Sequence, residues 1–210
     1  MDSMSRKEKE KLSREEDIVN AAEKVFTIMG YNKASMEDIA KEAQFTRKTV
    51  YQYFTDKEDL FFTVIIRGFK RLLFYCKENI GTGITGFENL RKLASAYARF
   101  YHDYPGTLQL MNYVGYLKSC KDNPKIGEFN NVSELLVREI SKVINDGKAD
   151  GSIRSDLDTT KLTLSVEFII SGFFHMLSIS GKTFTNHFSL DEEDFIDFSI
   201  NLLCEAFTKK

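Results

Sequence analysis

Arg47 and Lys48 stand side by side in the run TRKTVYQYF (46–54), flanked by the hydroxyls of Thr46, Thr49, Tyr51 and Tyr53 and by the amide of Gln52. Cations and hydroxyls crowded on one short segment with no acid among them suit phosphate oxygens and base edges in a major groove. A recognition helix works there mainly through its N-terminal residues. The same spacing fits the solvated face of an ordinary bundle helix, and the pattern alone leaves both readings open. No serine lies in a nucleophile-type turn, and His102, His175 and His187 have no carboxylate or cysteine neighbour at ligand spacing. The sequence therefore offers no catalytic constellation, no metal site and no cofactor site.

Short helices must position that run. Ser35 precedes Ile39, Ala40 and Ala43 and can cap one helix; after Gln44 and Phe45, Thr46 can cap a second, with Val50 and Phe54 turned inward. Thr55 and Glu58 have the spacing of a capping box opening a long helix over about 56–79. Upstream, Ser13 and Glu16 box the start of a helix whose apolar stripe runs from Ile18 to Met29, with Gly30 as its stop.

The stretch from about Ser13 to Leu60, and above all MEDIAKEA, TVYQYF and DKEDL, resembles the tetracycline-repressor (TetR) family of bacterial transcription regulators. The resemblance implies that Thr46, Arg47, Lys48, Thr49, Gln52 and Tyr53 face an operator and that Ser35, Tyr51 and Lys57 contact phosphates. Two departures stand out. Gln44 occupies a usual turn glycine, which asks a non-glycine residue for a left-handed backbone at a cost of about 1 kcal/mol. Lys48 replaces a second glycine common in the family and adds charge at the DNA face.

The remaining pattern is helical almost throughout: of 210 residues only Pro105 and Pro124 are prolines. Thr85 and Glu88 box a helix that stops at Pro105 and Gly106; the next covers about 107–121. Asn123 and Pro124 start one ending near Gly147, Asp158 opens one running to about Ser180, and Ser189 and Glu192 box a last one ending near Thr208. The expected fold is all-α with about nine helices: a basic N-terminal arm (1–12), a three-helix helix-turn-helix domain (13–57), and a helical effector-binding and dimerisation domain (58–210). The arm follows from Arg6, Lys7, Lys9, Lys11 and Arg14 outnumbering Glu8 and Glu10, although the chain carries a net charge of −2. The three cysteines, Cys76, Cys120 and Cys204, are far apart and read as buried thiols of a reducing cytoplasm. The apolar region 162–179 is broken by Glu167 and His175, which argues against a membrane span.

Phe69, Tyr97, Phe100, Tyr101, Tyr104, Met111, Tyr113 and Phe129 have the composition of a ligand cavity and equally that of ordinary core. Glu167 shares one helix face with Ser171, Phe174 and Ser178. With Gly172, and with Phe195, Leu202 and Leu203 on the last helix, that face reads as half of a symmetric four-helix dimer interface, or else Glu167 is a buried counter-ion for a ligand. The expected function is a homodimeric repressor of a palindromic DNA operator, released by a small, largely apolar or aromatic effector. The alternative keeps the DNA head and makes the helical domain a platform for a protein partner.

Overall fold

The computed structural model describes residues 5–81, 83–113 and 123–208. Among the described residues there are nine α-helices and no strand. They fall into two compact units, Met1–Gly68 with Leu110–Phe129 and Phe69–Gln109 with Asn130–Lys210. The boundary therefore lies inside the fourth helix rather than at 57/58, and the first unit takes a later segment of chain as well.

In the first unit, α1 spans Arg6–Lys33 and begins well before Ser13. The reason is a capping box not read from the sequence: the Ser5 hydroxyl accepts from the Glu8 amide while the Glu8 carboxylate accepts from the Ser5 amide at 2.8 Å. Arg6 pairs with Glu10 one turn on, at 3.0 Å. The expected arm is thus helical from Arg6 onward. Its inner stripe of Ile18, Ala22 and Phe26 is fully buried, and the backbone leaves helical geometry at Gly30 (φ 76°, ψ 158°), the expected stop.

Helix α2 (Met36–Glu42) carries a full capping box between Ser35 and Asp38. The turn after it takes Gln44 to φ 58°. Phe45 N donates to Ala40 O at 2.9 Å and Gln44 N to Lys41 O at 3.2 Å, the paired bonds of a Schellman motif that ordinarily places glycine where Gln44 stands. Because the Gln44 side chain is exposed, Gln44→Gly removes left-handed strain without losing packing. Urea titration should show a gain of about 0.5–1 kcal/mol, less what glycine adds to the unfolded entropy; a loss of stability would contradict the strain.

Helix α3 (Arg47–Tyr51) is capped by Thr46, and α4 (Lys57–Asn79) follows. The cap of α4 is Asp56, whose carboxylate accepts from Asp59 N at 2.8 Å; Asp59 in turn accepts from Thr55 N at 2.9 Å. This replaces the expected Thr55–Glu58 box. Arg67 on α4 reaches Asn20, Val19 and Glu23 of α1, and Lys125 reaches Asp59 at 3.1 Å and Thr63 at 2.7 Å.

In the second unit, α5 (Gly86–Asp103) starts from the expected Thr85–Glu88 box and packs against α8 (Thr159–His187) and α9 (Glu192–Glu205). Pro105 opens α6 (Pro105–Met111) instead of ending α5, since proline loses nothing in a first helical turn. Residues 114–121 of the expected helix over 107–121, Cys120 among them, lie outside the described residues. Helix α7 (Ile126–Asp150) passes through Gly147 and ends at Gly151 (φ 79°). Gly147 is a site of close approach: a Cβ on Gly86 would come within 2.1 Å of its nitrogen. Helix α8 continues beyond Ser180 to His187, and α9 is capped by Asp191, whose side chain accepts from Asp194 N at 3.0 Å, rather than by Ser189 (φ 53°).

Candidate nucleic-acid interface

Helix α3 is only five residues long, too short to hold itself together in water, so tertiary packing must fix it. Val50 (0% exposed) and Phe54 (1%) do so, and α3 packs on α2, where Ile39 is likewise fully buried. The Thr46 hydroxyl accepts from Thr49 N at 3.1 Å and shares a hydrogen with the Thr49 hydroxyl at 2.8 Å. That anchoring turns Arg47, Lys48, Tyr51 and Gln52 into solvent, with Thr49 and Tyr53 half-buried at the edges. The Arg47 guanidinium lies over the Tyr51 ring (5.4 Å to its centre) and donates to the Tyr51 hydroxyl at 3.4 Å, which holds it further into its charged form. Lys48 engages no group among the described residues, so its ammonium is available.

The two flanking positions differ from expectation. The Ser35 hydroxyl accepts from Asp38 N at 3.2 Å and donates to the Asp38 carboxylate at 2.5 Å, so it is engaged as a cap. Lys57, expected on a phosphate, donates to Tyr31 O at 2.9 Å and Ala34 O at 3.0 Å and sits over the Tyr31 ring at 4.4 Å. Its ammonium ties the start of α4 to the turn after α1. An ammonium with two carbonyl acceptors and an aromatic face has little reason to leave them.

The residues expected around an effector divide between the two units. Met111, Tyr113 and Phe129 belong to the first, where Tyr113 lies against Tyr31 (5.6 Å) and Phe61 (5.9 Å) and Phe129 against Phe62 (6.4 Å), completing its aromatic core. Phe69, Tyr97, Phe100, Tyr101, Tyr104 and Glu167 belong to the second. There the buried Tyr97 hydroxyl donates to Glu167 at 2.7 Å and the Tyr101 hydroxyl to Glu192 at 3.0 Å. Phe100 lies tilted against Tyr104 at 5.4 Å and edge-on to Tyr75 at 5.9 Å. Burial raises the Glu167 carboxyl above its ordinary range, opposed in part by the Tyr97 hydrogen bond. Burial likewise carries the Tyr97 hydroxyl well above a normal tyrosine, and it pushes the Cys76 thiol up to about 12, with Glu167 and Glu139 adding to the shift. The Nδ1 atom of His175 and Oε2 of Glu192 are buried without a hydrogen-bond partner among the described residues.

On α8 the residues expected on a dimer face do not share one open face. Phe174 (1% exposed) is core, 6.4 Å from Tyr97 and 5.8 Å from Tyr101, because the inward stripe is Leu162, Val166, Ile170, Phe174 and Leu177. Ser178 bonds back to His175 O at 2.7 Å, Ser171 is half-buried and Gly172 is exposed. On α9, Leu202 is 61% exposed, whereas Phe195 and Leu203 are half-buried and Phe195 packs on Phe173. The open apolar positions of α8 are Leu164, Phe168, Ile169, Met176, Ile179 and Phe184. Their spacing is a signal the sequence itself carries, as plain as the polar-edged spacing of Ser171 and Ser178. Helix α8 is also long and apolar enough by composition to cross a membrane, but its inner stripe packs on α5 and α9.

No cluster of three or more potential metal ligands occurs among the described residues. Residues 18–64 match the sequence profile described as "Bacterial regulatory proteins, tetR family". The chain is 24% identical over 149 residues to the HTH-type transcriptional regulator YhgD of Bacillus subtilis, covering 68% of this chain and 73% of that protein. Its fold is similar to that of a bacterial regulatory protein in the tetR family from Rhodococcus RHA1, with a TM-score of 0.75, 17% identity, and coverage of 94% of this chain and 98% of the other. It is similar also to the regulator FadR of Bacillus subtilis, solved in complex with stearoyl-CoA, with a TM-score of 0.70, 20% identity, and coverage of 90% and 96%. With an exposed Arg47–Lys48 helix seated in it, the matched segment is a tetR-family DNA-binding head, and the chain is a DNA-binding transcriptional regulator, not an enzyme.

Proposed function

We propose that the chain acts in the cytoplasm as a homodimeric, effector-released repressor of a two-fold symmetric operator. The observation that carries this reading is the open apolar face of α8 and α9, where Phe168 is 74% exposed, Phe198 63%, Ile179 61% and Leu202 61%. Side chains this large and this exposed on neighbouring helices mark a surface that a partner covers. A self-complementary pairing by a two-fold axis is the commonest solution, and an apolar groove lined by Ile169, Phe173 and Leu202 gives it relief. Two heads related by that axis would read half-sites about 34–36 Å apart on one face of the duplex.

The buried aromatic group of Tyr97, Phe100 and Tyr101 supports a small, largely apolar or aromatic effector in the second unit, with the Glu167–Tyr97 pair as its polar handle. The stearoyl-CoA complex of the Bacillus subtilis neighbour supports an effector with a long apolar part. To empty an occupied operator, the effector must favour the released state by roughly 5.5 kcal/mol in all.

Sedimentation of the full chain tests the reading. The wild type should run as a dimer, and Phe168→Asp combined with Leu202→Asp should run as a monomer with weakened operator binding. A monomeric wild type that still protects both half-sites would sink it.

A further inference from the structure

We propose that the first turns of α1 form a second DNA contact, a basic ridge of Lys7, Lys11 and Arg14 that holds phosphates beside the bases facing α3. The inference rests on α3 being the DNA-reading helix. The Ser5–Glu8 box makes residues 6–14 helical, and offsets of four and seven residues put Lys7, Lys11 and Arg14 on one face. Together with Ser5, Glu8 and Glu10, these three residues form one wall of a groove whose other wall is Gln52 and Tyr53, the end of the recognition segment. The two are therefore a single surface.

Charge decides what fits it. The groove is lined by three bases (Lys7, Lys11, Arg14) and two acids (Glu8, Glu10), a balance of +1, and with Arg6 and Lys9 residues 5–14 carry +3 in a chain whose total is −2. Both acids are engaged locally, Glu8 with the Ser5 amide and Glu10 with Arg6. Lys7, Lys11 and Arg14 have no acidic partner among the described residues, and the Gln52 amide and Tyr53 hydroxyl add donors opposite. A polyanion is the matching partner, and the shared wall with the recognition segment makes it the operator's own backbone. From Lys7 to Arg14 the helix rises about 10 Å. Measured along the duplex axis, that length covers about three base-pair steps.

The test is the salt dependence of binding, measured by fluorescence anisotropy on a duplex that the full-length wild type selects from a random-sequence pool. In the variant Lys7→Gln, Lys11→Gln, Arg14→Gln, helix propensity is kept and charge removed. The slope of log affinity against log salt should fall by about 0.9 for each phosphate no longer neutralised, or about 2.7 per head, with the preferred sequence unchanged. Lys7→Arg with Lys11→Arg should keep the wild-type slope. A wild-type slope in the triple glutamine variant, while Lys48→Ala still lowers it, would overturn this inference alone. A loss shared by the arginine variant would also overturn it, by pointing to the helix and not to its charge. A wild type that selects no duplex would overturn the assignment of α3 along with it.

Discussion

Replacing Gly86 by alanine should cost about 3 kcal/mol and lower the melting temperature by about 6–12 °C. A Cβ at this position meets Gly147 N at 2.1 Å and Gly147 Cα at 2.2 Å, both backbone atoms that cannot rotate aside. Alanine is the better helix former by about 1 kcal/mol, which the clash must first exceed. It does so because α5 and α7 have to separate by more than an ångström. That movement also strains the bonds from Gly86 N to Asp150 at 2.7 Å and from Phe87 N to Ser152 at 3.0 Å. Gly147→Ala should cost less, since its Cβ meets the Ile153 side chain, beginning with Cδ1 at 2.5 Å, and a side chain can shift. Calorimetry that found both variants melting with the wild type would show that this helix contact is loose.

The second large effect is expected at the Tyr97–Glu167 pair and depends on pH. Burial favours the protonated carboxyl, so the folded chain holds the Glu167 proton more tightly than the unfolded chain, where the ordinary value of 4.5 applies. Between 4.5 and the higher folded value the folded state binds more protons, and stability falls as pH rises. Glu167→Gln keeps an acceptor for the Tyr97 hydroxyl and removes the charge. It should match the wild type in acid below that window and be the more stable protein at neutral pH. Tyr97→Phe acts the other way. It leaves the buried carboxylate without the hydroxyl that stabilises it, a loss of about 1–3 kcal/mol at neutral pH that shrinks as Glu167 is protonated. Melting curves from acid to neutral pH check both; parallel profiles for wild type and Glu167→Gln would show that the carboxylate is solvated.

The head was legible from the sequence because its signals are local. Ser35, Thr46 and Gly30 cap or stop helices through atoms within a few residues, and the left-handed turn at Gln44 follows from the helices on either side of it. Caps chosen among competing acids were not legible. Thr55–Glu58 and Ser189–Glu192 have the right spacing, but Asp56 and Asp191 sit nearer to the first helical turn. Lys57 shows the other limit. Its family position implied a phosphate, and only the folded chain brings the Tyr31 and Ala34 carbonyls beneath its ammonium. Periodicity likewise placed Phe174 on a face without saying which face is inside, because α8 is apolar nearly all round.

The brevity of α3 has an evolutionary consequence. Val50 and Phe54 carry its folding, while Lys48 and Gln52 point outward with no structural duty among the described residues. Surface substitutions of this kind usually change stability by no more than about 0.5 kcal/mol. The chain can therefore drift to new operators by exchanging these side chains while its scaffold stays silent. A library randomised at positions 48 and 52 alone should yield folded regulators with altered base preference.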